Sequence, residues 1–276
     1  MHLRLGQRTH DITTRSLIMG ILNRTPDSFY DRGRFWDFDA FLARAEGLVA
    51  AGADLLDVGG VKAGPGPEVG EQEELERVVP AIQALHARFD VAISVDTWRA
   101  SVARASYAAG AVIGNDISGF ADPDYLPAAA EAGATVVATH IRLAPRVPDP
   151  NPEYDDVGKA VCDFLAERAQ QALAAGVARD RIVLDAGLDL GKSEPQSLLL
   201  LRTSDQLVAL GWPVLLSASN KRFLGLMLGL DIDERAEATI AAHALGVALG
   251  CRIVRAHDVR AARRTADVVA AVLEAA

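Results

Sequence analysis

The chain of 276 residues is poor in cysteine, aromatic side chains and net positive charge. Its two cysteines, Cys162 and Cys251, sit in apolar surroundings without metal-ligand spacing. A disulfide framework and a thiolate metal centre are therefore not what organises the fold, and both residues read as buried free thiols of a reducing compartment. Acidic side chains outnumber basic ones, 37 to 28, for a formal charge of −9. That balance argues against nucleic acid or an anionic membrane as the main partner, and leaves a local basic pocket open. No window approaches the roughly 18 uninterrupted apolar residues of a membrane span. The N-terminal stretch MHLRLGQRTHD has no apolar core of a signal peptide. A cytoplasmic protein is the expectation. No GxGxxG follows the first apolar run, which removes the usual reason to expect a dinucleotide-binding sheet.

What the chain has in abundance is a repeat. Helical pattern, glycine, about four apolar residues and then a polar residue recur as AAGADLLD, AAGAVIGND, EAGATVVATH, AAGVARDRIVLD, ALGWPVLLS and ALGCRIVRAHD. Half of all residues are hydrophobic, and Ala, Val, Leu and Gly dominate, as suits helices packed closely on a parallel sheet. The apolar runs predict strands at 17–22, 53–56, 91–95, 112–114, 135–138, 182–184, 214–216 and 252–254. Between them, amphipathic spacing predicts helices over 38–51, 72–88, 98–109, 123–132, 154–175, 195–209, 222–229, 233–249 and 259–274. Residues 142–153 hold four prolines and no periodicity, so they read as a loop. Alternation over 2–14 predicts a short two-stranded ribbon. Strands alternating with helices throughout indicate an α/β protein, a closed (β/α)8 barrel with an N-terminal β-ribbon, in one domain over 1–276. An open doubly wound sheet is the structural alternative.

Each apolar run ends on a polar residue. Parallel strands point their C-terminal ends at one mouth, so Asn23, Asp57, Asp96, Asn115, His140, Asp185, Lys221, Arg255 and His257 would converge there. Any one of them alone reads as a helix N-cap or a satisfied loop residue. Together their types divide into two groups. Asp96, Asn115 and Asp185, with Lys221 opposite, suit the edge of a polar, nitrogen-rich heterocycle. Asn23, Arg255 and His257 suit phosphate or pyrophosphate, with a divalent metal on the same oxygens. Carboxylates merely paired with Lys221 remain the bland alternative.

The segments NRTPDSF (23–29), DVGG (57–60), SVDT (94–97), NDISG (115–119), DAGLDLGK (185–192), SNKRF (219–223) and RAHDV (255–259) resemble, in order and spacing, the motifs of dihydropteroate synthases. The resemblance implies a TIM barrel that condenses 6-hydroxymethyl-7,8-dihydropterin diphosphate with 4-aminobenzoate, releasing pyrophosphate, with Mg²⁺ and as a homodimer. It implies that Asp96, Asn115, Asp185 and Lys221 hold the pterin. It implies that Asn23 carries the metal and that Arg255 and His257 hold the diphosphate with Asn23. Asp57, Lys221, Arg255 and His257 are then the candidate catalytic residues.

The departures are concentrated. After DVGG the family carries glutamate, serine, threonine, arginine, proline and glycine, whereas this chain carries Val61, Lys62, Ala63, Gly64, Pro65 and Gly66. That loop is the family's contribution to the aminobenzoate pocket and, through its arginine, to the diphosphate. A lysine is not a guanidinium fork. Ala186, Asp189 and Leu190 replace proline, glycine and phenylalanine of the sixth-strand loop, Thr139 stands for a methionine, and Ser217 for a glycine. Two readings follow: a divergent synthase or related pterin transferase, and a pterin-binding paralogue without synthase activity. Methyltetrahydrofolate binding is a third, in which the diphosphate residues would have no task. The apolar helices at 236–249 and 266–275 offer a dimer face.

Overall fold

Eight parallel strands close on themselves in chain order. In the computed structural model, which describes residues 1–25, 37–64 and 66–275, these are β3 (Leu17–Asn23), β4 (Leu55–Gly59), β5 (Ala92–Asp96), β6 (Ile113–Asp116), β7 (Thr135–Thr139), β8 (Ile182–Asp185), β9 (Val214–Leu216) and β10 (Ile253–Ala256). Helices α1 (Phe38–Ala50), α2 (Glu71–Arg88), α3 (Ala100–Ala108), α4 (Tyr125–Ala132) and α5 (Val157–Ala174) cover the first half. The second half is covered by α6 (Glu194–Arg202), α7 (Ser204–Val208), α8 (Arg222–Leu228), α9 (Ala236–Ala248) and α10 (Val259–Glu274). The expected (β/α)8 barrel is the fold, and the open sheet is excluded by the pairing of β10 with β3.

Side-chain alternation decides what each strand does. Outward residues such as Leu56, Val58, Ile93 and Val254 pack on helix residues Leu48, Ile82, Val102 and Val259. Inward residues Met19, Leu55, Ile113, Val137, Val183, Leu215 and Ile253 fill the barrel as one apolar cluster. Two residues further along the same face the strands turn polar, to Asp57, Asn115, Asp185 and Arg255. The polar mouth is thus the next layer above a dry core, and the register aligns it: Asn23 pairs with Gly59, Gly59 with Asp96, and Asp96 with Asn115.

At the other end the antiparallel ribbon β1 (His2–Leu5) and β2 (Arg8–Asp11) inserts Leu3, Leu5 and Ile12 into that same cluster. It is the stopper of the barrel. The Thr135 hydroxyl donates to the Arg4 carbonyl at 2.5 Å, and Arg181 Nη2 donates to the Gly6 carbonyl at 2.7 Å.

Several boundaries differ from the sequence expectation for local reasons. The second strand runs on to Gly59, so Asp57 lies inside it, not at its end. The helix expected from 154 begins at Val157, where the Asp156 side chain accepts from the Lys159 N–H. The expected helix 195–209 breaks at Thr203 into α6 and α7, and the Thr203 hydroxyl donates to the Leu199 carbonyl. Helix α9 starts at Ala236, after a 3-10 turn at Ile232–Glu234. Within the NRTPDSF and 61–66 segments, residues 26–29 and Pro65 lie outside the described residues.

Ile12 is fully buried in the stopper. Ile12→Ala is expected to lower unfolding free energy by about 2–5 kcal/mol, the range for removing a buried isoleucine side chain. Urea denaturation checks this, and a loss below about 0.5 kcal/mol would show that the ribbon contributes little to closing the barrel.

Candidate active site

The centre of the mouth is a buried charge network. Arg255, near the end of β10, donates from Nε to Asp57 Oδ2 at 2.7 Å and from Nη2 to Asp96 Oδ2 at 2.9 Å. Asn115 Nδ2 donates to the same Asp57 oxygen at 3.2 Å. The other oxygen, Asp57 Oδ1, is buried and has no hydrogen-bond partner among the described residues. Asp57 is completely buried, whereas the Asp96 side chain keeps 17 % of its surface exposed. Burial, with Asp57 close by, pushes the Asp96 carboxyl up to about 7, against the pull of Arg255. One guanidinium therefore serves two carboxylates, and the one nearer the opening is poised between its protonation states.

Across the mouth, Asp185 at the end of β8 accepts from the Gly187 N–H at 2.8 Å. Burial raises its pKa, opposed by that hydrogen bond and by Lys221, Arg255 and Lys192. Lys221 donates to the Leu188 carbonyl at 2.9 Å, and burial lowers its pKa. The Gly187 backbone has φ +64°, and a Cβ there would collide with the His140 carbonyl, so only glycine fits the turn. Asp189, at the position of a family glycine, also has a positive φ, of 66°. Its carboxylate accepts from the Phe223 N–H at 3.2 and 3.3 Å, capping α8, and is the leading charge that opposes the burial effect on Lys221. The departure at 189 thus brings a negative charge to the lysine's side of the mouth.

His257 follows β10. Its Nδ1 is 3.0 Å from the Ser219 hydroxyl, which also accepts from the His257 N–H at 3.1 Å, and Arg44 donates to its carbonyl at 2.6 Å. Burial, then Arg255, lowers its pKa to about 3, so the ring is neutral near pH 7. Asn23 ends β3, and a Cβ on Gly59 would be 3.6 Å from its Oδ1. An amide oxygen fits a hard divalent cation that keeps waters and substrate phosphates as its other ligands. No cluster of three His, Cys, Asp or Glu side chains able to hold a metal on its own occurs among the described residues.

His140 is the one member of the expected set that turns elsewhere. Its Nδ1 lies 2.9 Å from Lys192 Nζ, and its ring meets Phe164 edge-on at 4.9 Å. Lys192 also donates to the carbonyls of Gly187 and Leu190 at 2.9 Å and of His140 at 3.1 Å, fastening the loop after β8 to the end of β7. Sequence reasoning did not single out Lys192. The signal that could have found it is its place at the end of DAGLDLGK. Asp116 was missed as well: it accepts from the N–H groups of Ser118 and Phe120 and shapes the turn after Asn115.

The substituted loop is held from outside. Val61 is buried, and Arg77 Nη1 donates to the Gly60 carbonyl at 2.7 Å. Arg146, from the loop after β7, donates to the carbonyls of Gly66 and Pro67 at 2.6 and 2.5 Å. Lys62 is half-buried at its edge.

His243 of α9 is 2 % exposed, and neither ring nitrogen has a hydrogen-bond partner among the described residues. Burial lowers its pKa to about 4, below the roughly 6.5 of an unfolded histidine. The unfolded chain then binds more protons between those values, so this residue's contribution to stability is full above about 6.5 and is lost as pH falls toward 4. His243→Met is expected to shrink the stability difference between pH 7 and pH 5 in urea melts. An unchanged difference would contradict a buried neutral ring.

Comparison with known proteins agrees with this geometry. The family described as pterin binding enzyme matches residues 19–257. The chain is 48% identical over 264 residues to a Mycobacterium leprae protein named inactive dihydropteroate synthase 2, covering 94% of this chain and 91% of that one. It superposes on Yersinia pestis dihydropteroate synthase in complex with a sulfonamide drug, with a TM-score of 0.95, 37% identity and full coverage of both chains. On the Xanthomonas albilineans dihydropteroate synthase with 4-aminobenzoic acid the TM-score is 0.91 at 38% identity, covering 100% of this chain and 99% of that one. With the barrel, the polar mouth and the family match in agreement, the chain belongs to the pterin-binding enzymes of the dihydropteroate synthase family.

Proposed function

We propose that this barrel is a divergent dihydropteroate synthase-like transferase of folate biosynthesis. It binds 6-hydroxymethyl-7,8-dihydropterin diphosphate and condenses it with 4-aminobenzoate or a related amine, releasing pyrophosphate. The observation that carries this reading is the network in which Arg255 bridges Asp57 and Asp96 while Asn115 donates to Asp57, with Asp185 and Lys221 facing it. Asp96, Asn115 and Asp185 offer carboxylate and amide groups to the ring N–H and amino groups of a pterin, and Lys221 offers a donor to its acceptors. Asp57, out of reach of solvent, positions Arg255 and Asn115.

The C–O bond to the diphosphate breaks with its electron pair leaving on pyrophosphate. The amine nitrogen forms the new C–N bond and gives up a proton. Arg255, His257 and Asn23 hold the departing anion, so charge is stabilised where it develops. Asn23 is the residue that would hold Mg²⁺, which when bound supplies positive charge to the phosphate oxygens. Little covalent work falls to a side chain.

A second reading has a specific observation in its favour. The 61–66 loop lacks the family's hydroxyls and arginine, and a relative 48% identical is named inactive. In that reading the chain binds the pterin without condensing it. Incubating the protein with Mg²⁺, the pterin diphosphate and 4-aminobenzoate, while following pyrophosphate and dihydropteroate, separates the two. Turnover supports the synthase, turnover with another amine redirects its substrate, and none at high enzyme concentration leaves the pterin-binding paralogue. Asp185→Asn is expected to weaken pterin binding at least tenfold in calorimetry with little change in thermal midpoint. A collapse of the midpoint would assign Asp185 to the fold instead.

The exposed apolar residues Ile240 and Leu245 of α9 and Val268, Val272 and Leu273 of α10 support a homodimer through the neighbouring faces of these two helices. The two free thiols support a cytoplasmic setting.

A further inference from the structure

Two loops meet on the β8 side of the mouth, and Asp189 is the residue that joins them. Its backbone is left-handed, φ +66°, a region where a side chain other than glycine persists only if its surroundings hold it. Here they do. The Asp189 N–H donates to the Ser197 hydroxyl of α6 at 3.2 Å, and both carboxylate oxygens accept from the Phe223 N–H of α8. Lys221, at the N-cap of α8, makes no side-chain cap of its own. Its amine donates instead to the carbonyl of Leu188, the residue before Asp189. The loop after β8 and the loop that carries the lysine are thus tied twice, once by each side chain.

The lysine's loop is fixed on its far side as well. Thr239 of α9 accepts from the Asn220 N–H at 3.1 Å, and Arg235 donates to the Asn220 carbonyl at 3.1 Å. The charged and titratable groups around Lys221 are Asp185 and Asp189, Lys192 of the same loop, Asp96 from β5, and Arg255 and His257 at the end of β10. Burial works against the lysine's charge, and Asp189 is the leading group that restores it, ahead of Asp185. Asp185 has a task at the ligand ring, whereas Asp189 is engaged with a backbone N–H and stays beside the lysine with or without a ligand. The glycine that the family carries at this position has neither the charge nor the cap to offer.

We propose that Asp189 is a positioning residue for Lys221, the counter-ion that keeps this lysine charged and in place at the mouth. This rests on the reading of the mouth as a pterin site. A buried ammonium that loses its counter-ion gives up its proton more readily, and hydrogen bonds from a charged donor are the stronger ones. Asparagine at 189 tolerates the left-handed backbone and keeps an oxygen for the Phe223 N–H, so it removes the charge and leaves the fastening. The sign follows: Asp189→Asn removes an attraction that favours the ammonium, so Lys221 should release its proton at lower pH.

The chain has four lysines, Lys62, Lys159, Lys192 and Lys221. Carbon-13 NMR on protein labelled at lysine Cε can therefore follow each of them through a pH titration, with Lys221 assigned by its loss in Lys221→Met. Without ligand, the Lys221 midpoint should lie lower in Asp189→Asn than in the unsubstituted chain. Pterin fluorescence then follows the binding of 6-hydroxymethyl-7,8-dihydropterin from pH 6 to pH 9, the ring's own titration being common to all variants. The unsubstituted chain should bind about tenfold more tightly than Asp189→Asn at pH 9 and within about twofold of it at pH 6. Asp189→Gly should lose affinity with rising pH in the same way. The thermal midpoint of Asp189→Asn should stay within about 2 °C of the unsubstituted chain. A Lys221 midpoint that Asp189→Asn leaves in place would overturn the proposal, as would an affinity ratio constant over that pH range. A collapse of the thermal midpoint in Asp189→Asn would overturn it too, by assigning Asp189 to the fold. Failure of the unsubstituted chain to bind the pterin would overturn the function reading alone, because the lysine titration needs no ligand.

Discussion

One guanidinium inside a barrel of apolar strands is the constraint on which the rest of the mouth depends. Arg255 is held by Asp57 beneath it and Asp96 beside it, and none of the three has much water to share. Buried charges persist only when paired and hydrogen-bonded, and removing one partner strands the others at a cost of about 3–5 kcal/mol. The network therefore fixes the relative placement of β4, β5, β6 and β10 at their polar ends. It also joins the two halves that residue type alone had separated. The cation assigned to the diphosphate and the carboxylate assigned to the pterin are hydrogen-bonded to each other, so a ligand at one necessarily perturbs the other.

The apolar floor under this network makes such an arrangement tolerable. Met19, Leu55, Ile113, Val183 and Ile253 form the layer below, and the N-terminal ribbon closes the barrel behind them. Strands β4, β6, β8 and β10 each spend one inward position on the floor and the next on the site. The dielectric contrast between those layers raises Asp96 to about 7 and keeps His257 neutral. The Lys192 fastening ties the loop after β8 to the end of β7 on the other side.

Much of this was legible in the sequence. The recurring glycine, apolar run and polar residue gave the strand order, and the polar residues at the run ends include Asp57, Asp96, Asn115 and Arg255, which the fold joins in one hydrogen-bonded network. Periodicity could not show that β4 continues past Asp57 to Gly59, because the polar Asp57 and the glycine pair Gly59 and Gly60 read as the end of the apolar run. Nor could it show that His140 turns to Lys192, since that partner lies 52 residues away and is placed by the β8 turn. The substituted loop was visible as a departure from the family pattern. The arginines that hold it, Arg77 and Arg146, come from α2 and from a proline-rich loop with no periodic signal, and only the folded chain brings them together.

The central claim is that Asp96 shares Arg255 with Asp57 in a buried site made for a pterin ring. Carboxyl-carbon NMR on protein labelled at aspartate, with Asp96 assigned through Asp96→Asn, measures this directly. The account predicts a midpoint near 7 in the free protein. It predicts a fall of at least one pH unit when 6-hydroxymethyl-7,8-dihydropterin is bound, because ring N–H donors favour the ionised carboxylate. A midpoint near 4 that the pterin leaves in place would contradict it.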